Sequence, residues 1–272
     1  MDAEETFVTM DIPLFVPTAA GEMSAMASIP SSGTVQGPAV GLLPAMEAER
    51  VRLDVLRDIA HALAERGQPV ISFDYPGSGM SPSQVPREEV TSVLSEACDW
   101  FLEQTGSTEL ALTGSCFGGR LALAIAARNQ SVSTVVAQAI IMKLRTRRVQ
   151  SRVRAGIAAL DVVGPRVTAP LTRGSSVRYS ETEWDRELVD DITGAARNAH
   201  VHLVFGEQDP GYRDFIELTG SNTISPEVAQ DLEVSVFPGE PLNVLTNPAQ
   251  QVWFRDIAER SLSTSREVKA AR

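Results

Sequence analysis

Short apolar runs and segments of helical period take turns along most of this chain, and that alternation constrains the fold more than any single residue. Strands are expected at Val40-Gly41-Leu42-Leu43, at Pro69–Asp74, at Glu109–Thr113, at Thr134–Ile140, at Val201–Phe205 and at Leu232–Phe237. Between them lie helical stretches. Arg50–Arg66 carries Val51, Val55, Ile59 and Leu63 on one face and stops at Gly67; Glu88–Glu103 is a second helix. A third follows Gly119 through Leu121, Leu123 and Ile125, and a closing helix begins near Pro248. Two antiparallel edge strands, around Phe7–Phe15 and Met23–Ile29, precede the series, joined by a turn near Gly21. Strands and helices alternating at this length imply right-handed crossovers and a mostly parallel, twisted sheet with helices on both faces: an α/β protein.

The alternation pauses at 141–198. This stretch reads as helical segments broken at Gly164-Pro165 and Pro170. The expected organisation is therefore a core formed by 1–140 and 199–272, with 141–198 as a lid (cap) insertion over the carboxyl end of the sheet, where open α/β sheets place their ligands. The pause also concentrates charge. Between Ile141 and Arg178 nine basic residues face one acidic residue, Asp161, so this segment is +8 and the remainder −19 in a chain of net charge −11. Lys143–Arg154 reads as an arginine-rich helix. Arg145, Arg147, Arg148 and Arg152 would form a dock for the phosphates of coenzyme A or phosphopantetheine, or for an acidic carrier protein. The alternative is a solvated face balancing an acidic body.

The acidic balance and the lack of aromatics among the arginines argue against nucleic acid as a partner. No P-loop and no metal-ligand spacing is present, so no metal and no cofactor is expected. With 43% hydrophobic and 22% charged residues, the 272-residue chain can bury a large core. No run approaches the roughly 18 to 20 uncharged apolar residues of a membrane span. Met1-Asp2-Ala3-Glu4-Glu5 is acidic and lacks the form of a secretory signal, so a cytoplasmic protein is expected. The two cysteines, Cys98 and Cys116, are too few for a disulfide framework.

Cys116 stands where chemistry would be placed. A strand, then Gly114-Ser115-Cys116-Phe117-Gly118-Gly119, then a helix is the context that gives a G-x-nucleophile-x-G turn its meaning. The glycines leave room beside a strained backbone, and the helix directs its positive amino end at residue 116, which favours a thiolate. The Phe117 N–H would face a developing oxyanion. The plainer reading is a glycine-rich turn holding a small buried cysteine. Upstream, Phe73-Asp74-Tyr75-Pro76-Gly77-Ser78-Gly79-Met80-Ser81 follows its strand directly. With these motifs in this order the chain resembles the α/β-hydrolase family over nearly its whole length. Leu43-Pro44-Ala45-Met46-Glu47-Ala48-Glu49-Arg50 in particular resembles bacterial hydrolases and acyltransferases associated with exosortase systems or natural-product clusters. The resemblance implies a second oxyanion donor in the loop after the Val40–Leu43 strand. Pro44 has no N–H, so Ala45 or Met46 would supply it.

The resemblance also implies an acid after the strand that follows the lid. Phe205-Gly206-Glu207-Gln208-Asp209-Pro210 offers Asp209, with Glu207 in reserve. The histidine expected in a Pro-Gly-x-x-His-like loop is missing: Phe237-Pro238-Gly239-Glu240-Pro241-Leu242-Asn243-Val244 puts Leu242 or Asn243 there, and neither can take and return a proton. The chain has three histidines. His61 falls on the flank of the sheet. At about 3.3 Å per residue, His200 and His202 stand roughly 16 and 10 Å below the end of their strand.

A thiol near pKa 8.5, unlike a serine hydroxyl, is already partly ionised and can accept an acyl group from a thioester without a base. Deacylation by water lacks an activator, with Glu240 and Glu47 the loop acids that could act as surrogates. The sequence therefore points to an acyltransferase or thioesterase-like enzyme taking an acyl chain from coenzyme A or an acyl-carrier protein. A binding or scaffold protein that keeps only the fold, and a hydrolase with a non-standard base, are the competing readings. Nothing in the sequence sets the oligomeric state.

Overall fold

Along β3 (Ala39–Leu43) every residue is buried, so this strand has no solvent face and must lie within a covered sheet. A computed structural model of the chain describes residues 9–31, 35–43, 54–76, 80–81, 85, 89–140, 142–148, 178–184, 186–242 and 247–263. In it β3 lies between β4 (Val70–Phe73) and β5 (Leu110–Ser115), parallel to both. The parallel run continues through β6 (Val132–Gln138) and β9 (His200–Gly206) to β10 (Leu232–Phe237). On the other side β2 (Gly21–Pro30) runs antiparallel to β4, and β1 (Thr9–Thr18) pairs antiparallel with β2 at the edge. The order across the eight strands is β1-β2-β4-β3-β5-β6-β9-β10.

Strand alternation sends successive side chains to opposite faces. Val40 and Leu42 of β3, Ala111 of β5, Val136 of β6 and Val204 of β9 meet Val55, Ile59 and Leu63 of α1 (Asp54–Ala64) and Phe254, Ile257 and Leu262 of α7 (Pro248–Leu262) in one cluster. The intervening positions face the other way. A Cβ on Gly41 would lie 3.8 Å from the Cys98 sulfur of α2 (Val90–Thr105). Gly119 of α3 (Phe117–Ala126) abuts Ile140 and Ala137, and Gly194 of α4 (Arg186–Asn198) abuts Ala127 just beyond α3. α5 (Pro210–Gly220) and α6 (Pro226–Asp231) supply the crossover from β9 to β10 that a parallel pair requires.

The chain divides into two compact units, one of residues 1–141 with 186–272 and one of residues 142–185. In the second unit β7 (Lys143–Arg148) pairs antiparallel with β8 (Arg178–Trp184), with Lys143 opposite Trp184 and an irregular register between Arg145 and Arg147. This corrects two sequence expectations. The arginine-rich stretch is a strand over Lys143–Arg148, not the start of a helix: its lysine and arginines suit a helix by propensity, but pairing with a strand containing Tyr179, Thr182 and Trp184 overrides that weak preference. The second concerns the end of the insertion. α4 belongs to the main unit, because its apolar stripe of Leu188, Ile192, Ala195 and Ala196 is buried on the α3 side of the sheet. Arg152 and the breaks at Gly164-Pro165 and Pro170 lie outside the described residues.

Candidate active site

β5 ends at Ser115 and α3 begins at Phe117, so Cys116 alone makes the turn between them. Its φ of 51° and ψ of −107° lie where residues with a side chain are rarely found. Such a conformation costs on the order of 1–3 kcal/mol and persists only where the surroundings impose it. Here they do. The Cys116 N–H donates to the Gln138 carbonyl at 2.9 Å, anchoring the turn to β6, and the Arg120 N–H donates to the Cys116 carbonyl at 3.2 Å, starting the helix. Gly114 makes the passage possible: a Cβ there would stand 2.4 Å from the carbonyl carbon of Gly118 and 2.5 Å from its oxygen.

Cys116 is half-buried and heads a helix whose first turn carries no acidic residue, so the positive helix end acts on the sulfur unopposed from within that turn. As the first helical residue, Phe117 has an N–H without an intrahelical acceptor, as an oxyanion donor requires. Its ring is fixed edge-on against Tyr75, 5.9 Å between centroids at 84°. Tyr75 is placed in turn by its neighbour Asp74: the Asp74 N–H donates to the Ser24 carbonyl at 2.8 Å, Ser24 Oγ donates to the Asp74 carboxylate, and Ser81 Oγ donates to the Asp74 carbonyl at 2.7 Å. The second cysteine is the opposite case. Cys98 is fully buried in α2, and burial foremost, with the charge of Asp99 adding, pushes its thiol above the ordinary range for cysteine.

Asp209 sits at the start of α5, 6% exposed. One carboxylate oxygen accepts the Gly206 N–H at 2.7 Å, and the other accepts the Leu242 N–H at 3.1 Å. The acid therefore bridges the turn after β9 to the loop after β10. More bonds join the same two segments: Glu207 Oε2 accepts the Gly239 N–H at 2.6 Å, Gln208 Nε2 donates to the Gly239 carbonyl at 2.5 Å, and the Glu207 N–H donates to the Phe237 carbonyl at 2.8 Å. Gly206 admits the contact, since a Cβ there would lie 2.2 Å from the Leu242 nitrogen. Leu242, one of the two positions for the missing histidine, packs against the α1–α7 core cluster. Glu240 accepts from Asn247 Nδ2 at 2.8 Å, while Asn247 Oδ1 caps α7 by accepting the Ala249 and Gln250 N–H groups.

All three histidines are engaged elsewhere. His61 Nε2 meets the Asp11 carboxylate at 2.9 Å. His200 Nε2 pairs with Glu233 at 3.1 Å. His202, 1% exposed, has Ser261 Oγ at 3.0 Å from Nδ1 and Ser235 Oγ at 2.8 Å from Nε2. The register puts His202 level with Val136, two residues below Gln138, whose carbonyl receives the Cys116 N–H.

Of the other positions read from sequence, Ala45, Met46, Glu47 and Asn243 lie outside the described residues, and Arg145, Arg147 and Arg148 lie on β7 in the second unit. Sequence reasoning missed Gln138, Tyr75 and the Asp209–Leu242 bridge. For Gln138 there was a signal: a polar residue following the apolar run Val135-Val136-Ala137 at the end of its strand. Among the described residues no group of three or more His, Cys, Asp or Glu could hold a metal ion, and no helix is long and apolar enough to cross a membrane.

Residues 44–155 match the family model of the alpha/beta hydrolase fold. A polyketide transferase, GrgF of Penicillium, is 32% identical over 111 residues, which are 38% of this chain and only 37% of that protein's length. The crystal structure of GrgF from Penicillium sp. sh18 superposes with a TM-score of 0.57 at 15% identity, covering 94% of this chain and 100% of that one. A dienelactone hydrolase from Anabaena variabilis gives a TM-score of 0.58 at 14% identity over 93% of this chain and 96% of its own. The Pyrococcus furiosus esterase PF2001 gives 0.59 at 12% identity over 94% and 92%. Strand order, the turn at Cys116 and these likenesses agree: this chain has the α/β-hydrolase fold.

Proposed function

We propose that the chain is an acyltransferase or thioesterase-like enzyme in which Cys116 receives an acyl group from a thioester. The observation that carries this reading is the backbone of Cys116, a residue with a reactive side chain held at φ 51°. A glycine would relieve that strain, and strain kept at a half-buried, reactive position is a mark of use. The thiolate attacks the thioester carbonyl, with the Phe117 N–H and that of Ala45 or Met46 receiving the oxyanion. The carbon–sulfur bond of the donor breaks, its thiol leaves with a proton, and an acyl-Cys116 thioester remains. An acceptor then takes the acyl group and returns the thiol.

Transfer is favoured over hydrolysis because each histidine is engaged away from the turn and Glu240 is tied to Asn247. The likeness to a polyketide transferase points the same way. In this proposal the donor is a coenzyme A or carrier-protein thioester, and the basic segment 141–178 is its phosphate or carrier dock and part of a lid. The setting is specialised metabolism, among exosortase-associated or natural-product-cluster enzymes, in a reducing cytoplasm that suits two cysteines outside any disulfide.

A second reading, a binding protein that retains only the fold, is favoured by Asp209, whose two oxygens both accept backbone N–H groups. Thiol release from octanoyl-N-acetylcysteamine separates the two. The enzyme reading expects release by the wild type and by Cys98→Ala, and its loss in Cys116→Ala. Equal release by Cys116→Ala, or none by the wild type, contradicts it.

A further inference from the structure

Gln138 closes β6 with its side chain 2% exposed, and its Oε1 has no hydrogen-bond partner among the described residues. A buried acceptor left unmatched is costly, and native structures keep few of them without a reason. Its location supplies one. The register sets Gln138 opposite Ser115, the residue before Cys116, and the Gln138 carbonyl holds the Cys116 N–H at 2.9 Å. Alternation along β6 turns its side chain to the same face as Val136, and its β9 partner Val204 belongs to the cluster on that face. Leu242 of the β10–α7 loop packs on this cluster too. The unmatched amide oxygen thus belongs to a residue at the carboxyl end of the sheet, beside the Cys116 turn, on the face to which that loop returns.

We propose that Gln138 Oε1 accepts a hydrogen bond from the N–H of a primary amine and so orients the amine against the acyl-Cys116 thioester. This rests on Cys116 being acylated. An amide oxygen accepts a hydrogen bond but takes no proton near neutral pH, so Gln138 cannot activate water or an alcohol. A neutral amine needs no such activation, because its lone pair is already available. The amine nitrogen attacks the acyl carbon, the carbon–nitrogen bond forms and the bond to the Cys116 sulfur breaks. One amine proton passes to the departing thiolate, leaving an amide product and the Cys116 thiol. The acceptor class is therefore a primary amine.

The test uses the full chain, octanoyl-N-acetylcysteamine as donor, and two competing acceptors, butylamine and 2-mercaptoethanol. The thiol acceptor attacks as a thiolate and has no N–H to offer Gln138. Gln138→Met should slow transfer to butylamine about tenfold more than transfer to the thiol, the scale of one lost hydrogen bond. Gln138→Glu, which keeps an acceptor oxygen at the same reach, should recover butylamine transfer above the Gln138→Met level. A Gln138→Met protein that forms the octanoyl adduct and slows both acceptors equally, or neither, overturns this proposal alone. A wild-type protein that never forms the adduct overturns the Cys116 reading and this proposal with it. Adduct formation by intact mass reports in every variant that the turn has folded.

Discussion

The turn after β5 and the turn after β9 stand at the same end of one parallel sheet, two strands apart, and are held in opposite ways. At the first, Cys116 carries positive-φ strain and leaves its side chain half-buried at the head of a helix. At the second, Asp209 has spent its carboxylate on the backbone, tying Gly206 to Leu242. One turn stores strain around a reactive atom; the other has turned a potentially reactive group into a fastener. Both depend on a glycine, since a Cβ would meet main chain at 2.4 Å on Gly114 and at 2.2 Å on Gly206. Cys116 thus keeps a strained turn at the head of a helix, while Asp209 and the Leu242 N–H are bonded into the fold.

The largest effects should come from filling those close approaches. Gly114→Ala drives a Cβ into the Gly118 backbone, and Gly206→Ala drives one into the Leu242 nitrogen. Each should cost about 3 kcal/mol or more in urea unfolding, because main chain cannot yield as a side-chain tip does. A cost below 1 kcal/mol at either glycine would break the parallel between the turns. Next, Asp209→Asn places an amide nitrogen against one of two N–H donors and should cost about 1–3 kcal/mol. If acylation were lost at unchanged stability, Asp209 would be an acid of the reaction and not a fastener. Smaller and opposite in sign, Cys116→Gly should raise stability by about 1 kcal/mol, the relieved strain less the entropy of a glycine, while abolishing acylation. Loss of stability there would mean that the turn is not strained.

A pH titration provides a baseline away from both turns. Burial foremost, with His200 and Arg260 adding and Glu233 opposing, holds His202 below the free histidine value of 6.5. The unfolded chain then binds the extra proton, so this contribution is complete above pH 6.5 and is lost as pH falls from there through the folded-state value. His202→Gln should flatten the acid limb of the stability curve while leaving the effects at both turns unchanged. An unaltered limb would place the proton elsewhere.

Much of the framework was legible in the sequence because period 2 and period 3.6 differ so plainly. The strand at Val40–Leu43 and the turn at Cys116 stand where their patterns put them, and the helix expected after Gly119 begins at Phe117. The residues of Lys143–Arg148 favour a helix by propensity, while its strand conformation depends on a partner thirty or more positions away, Arg178–Trp184. α4 was misassigned because an apolar stripe announces that it will be covered but not by what. At the site, that residues 238–247 hold no histidine is plain from the sequence itself. The use made of Asp209 is not, since a carboxylate that binds two main-chain N–H groups has the same sequence as one that orients an imidazole.

Intact mass spectrometry after incubation with octanoyl-N-acetylcysteamine, followed by peptide mapping, tests the nucleophile most directly. One octanoyl group on the peptide containing residue 116, absent from Cys116→Ala and undiminished in Cys98→Ala, is the predicted result. The same mass gain in Cys116→Ala, or its mapping to any other residue, would contradict the account.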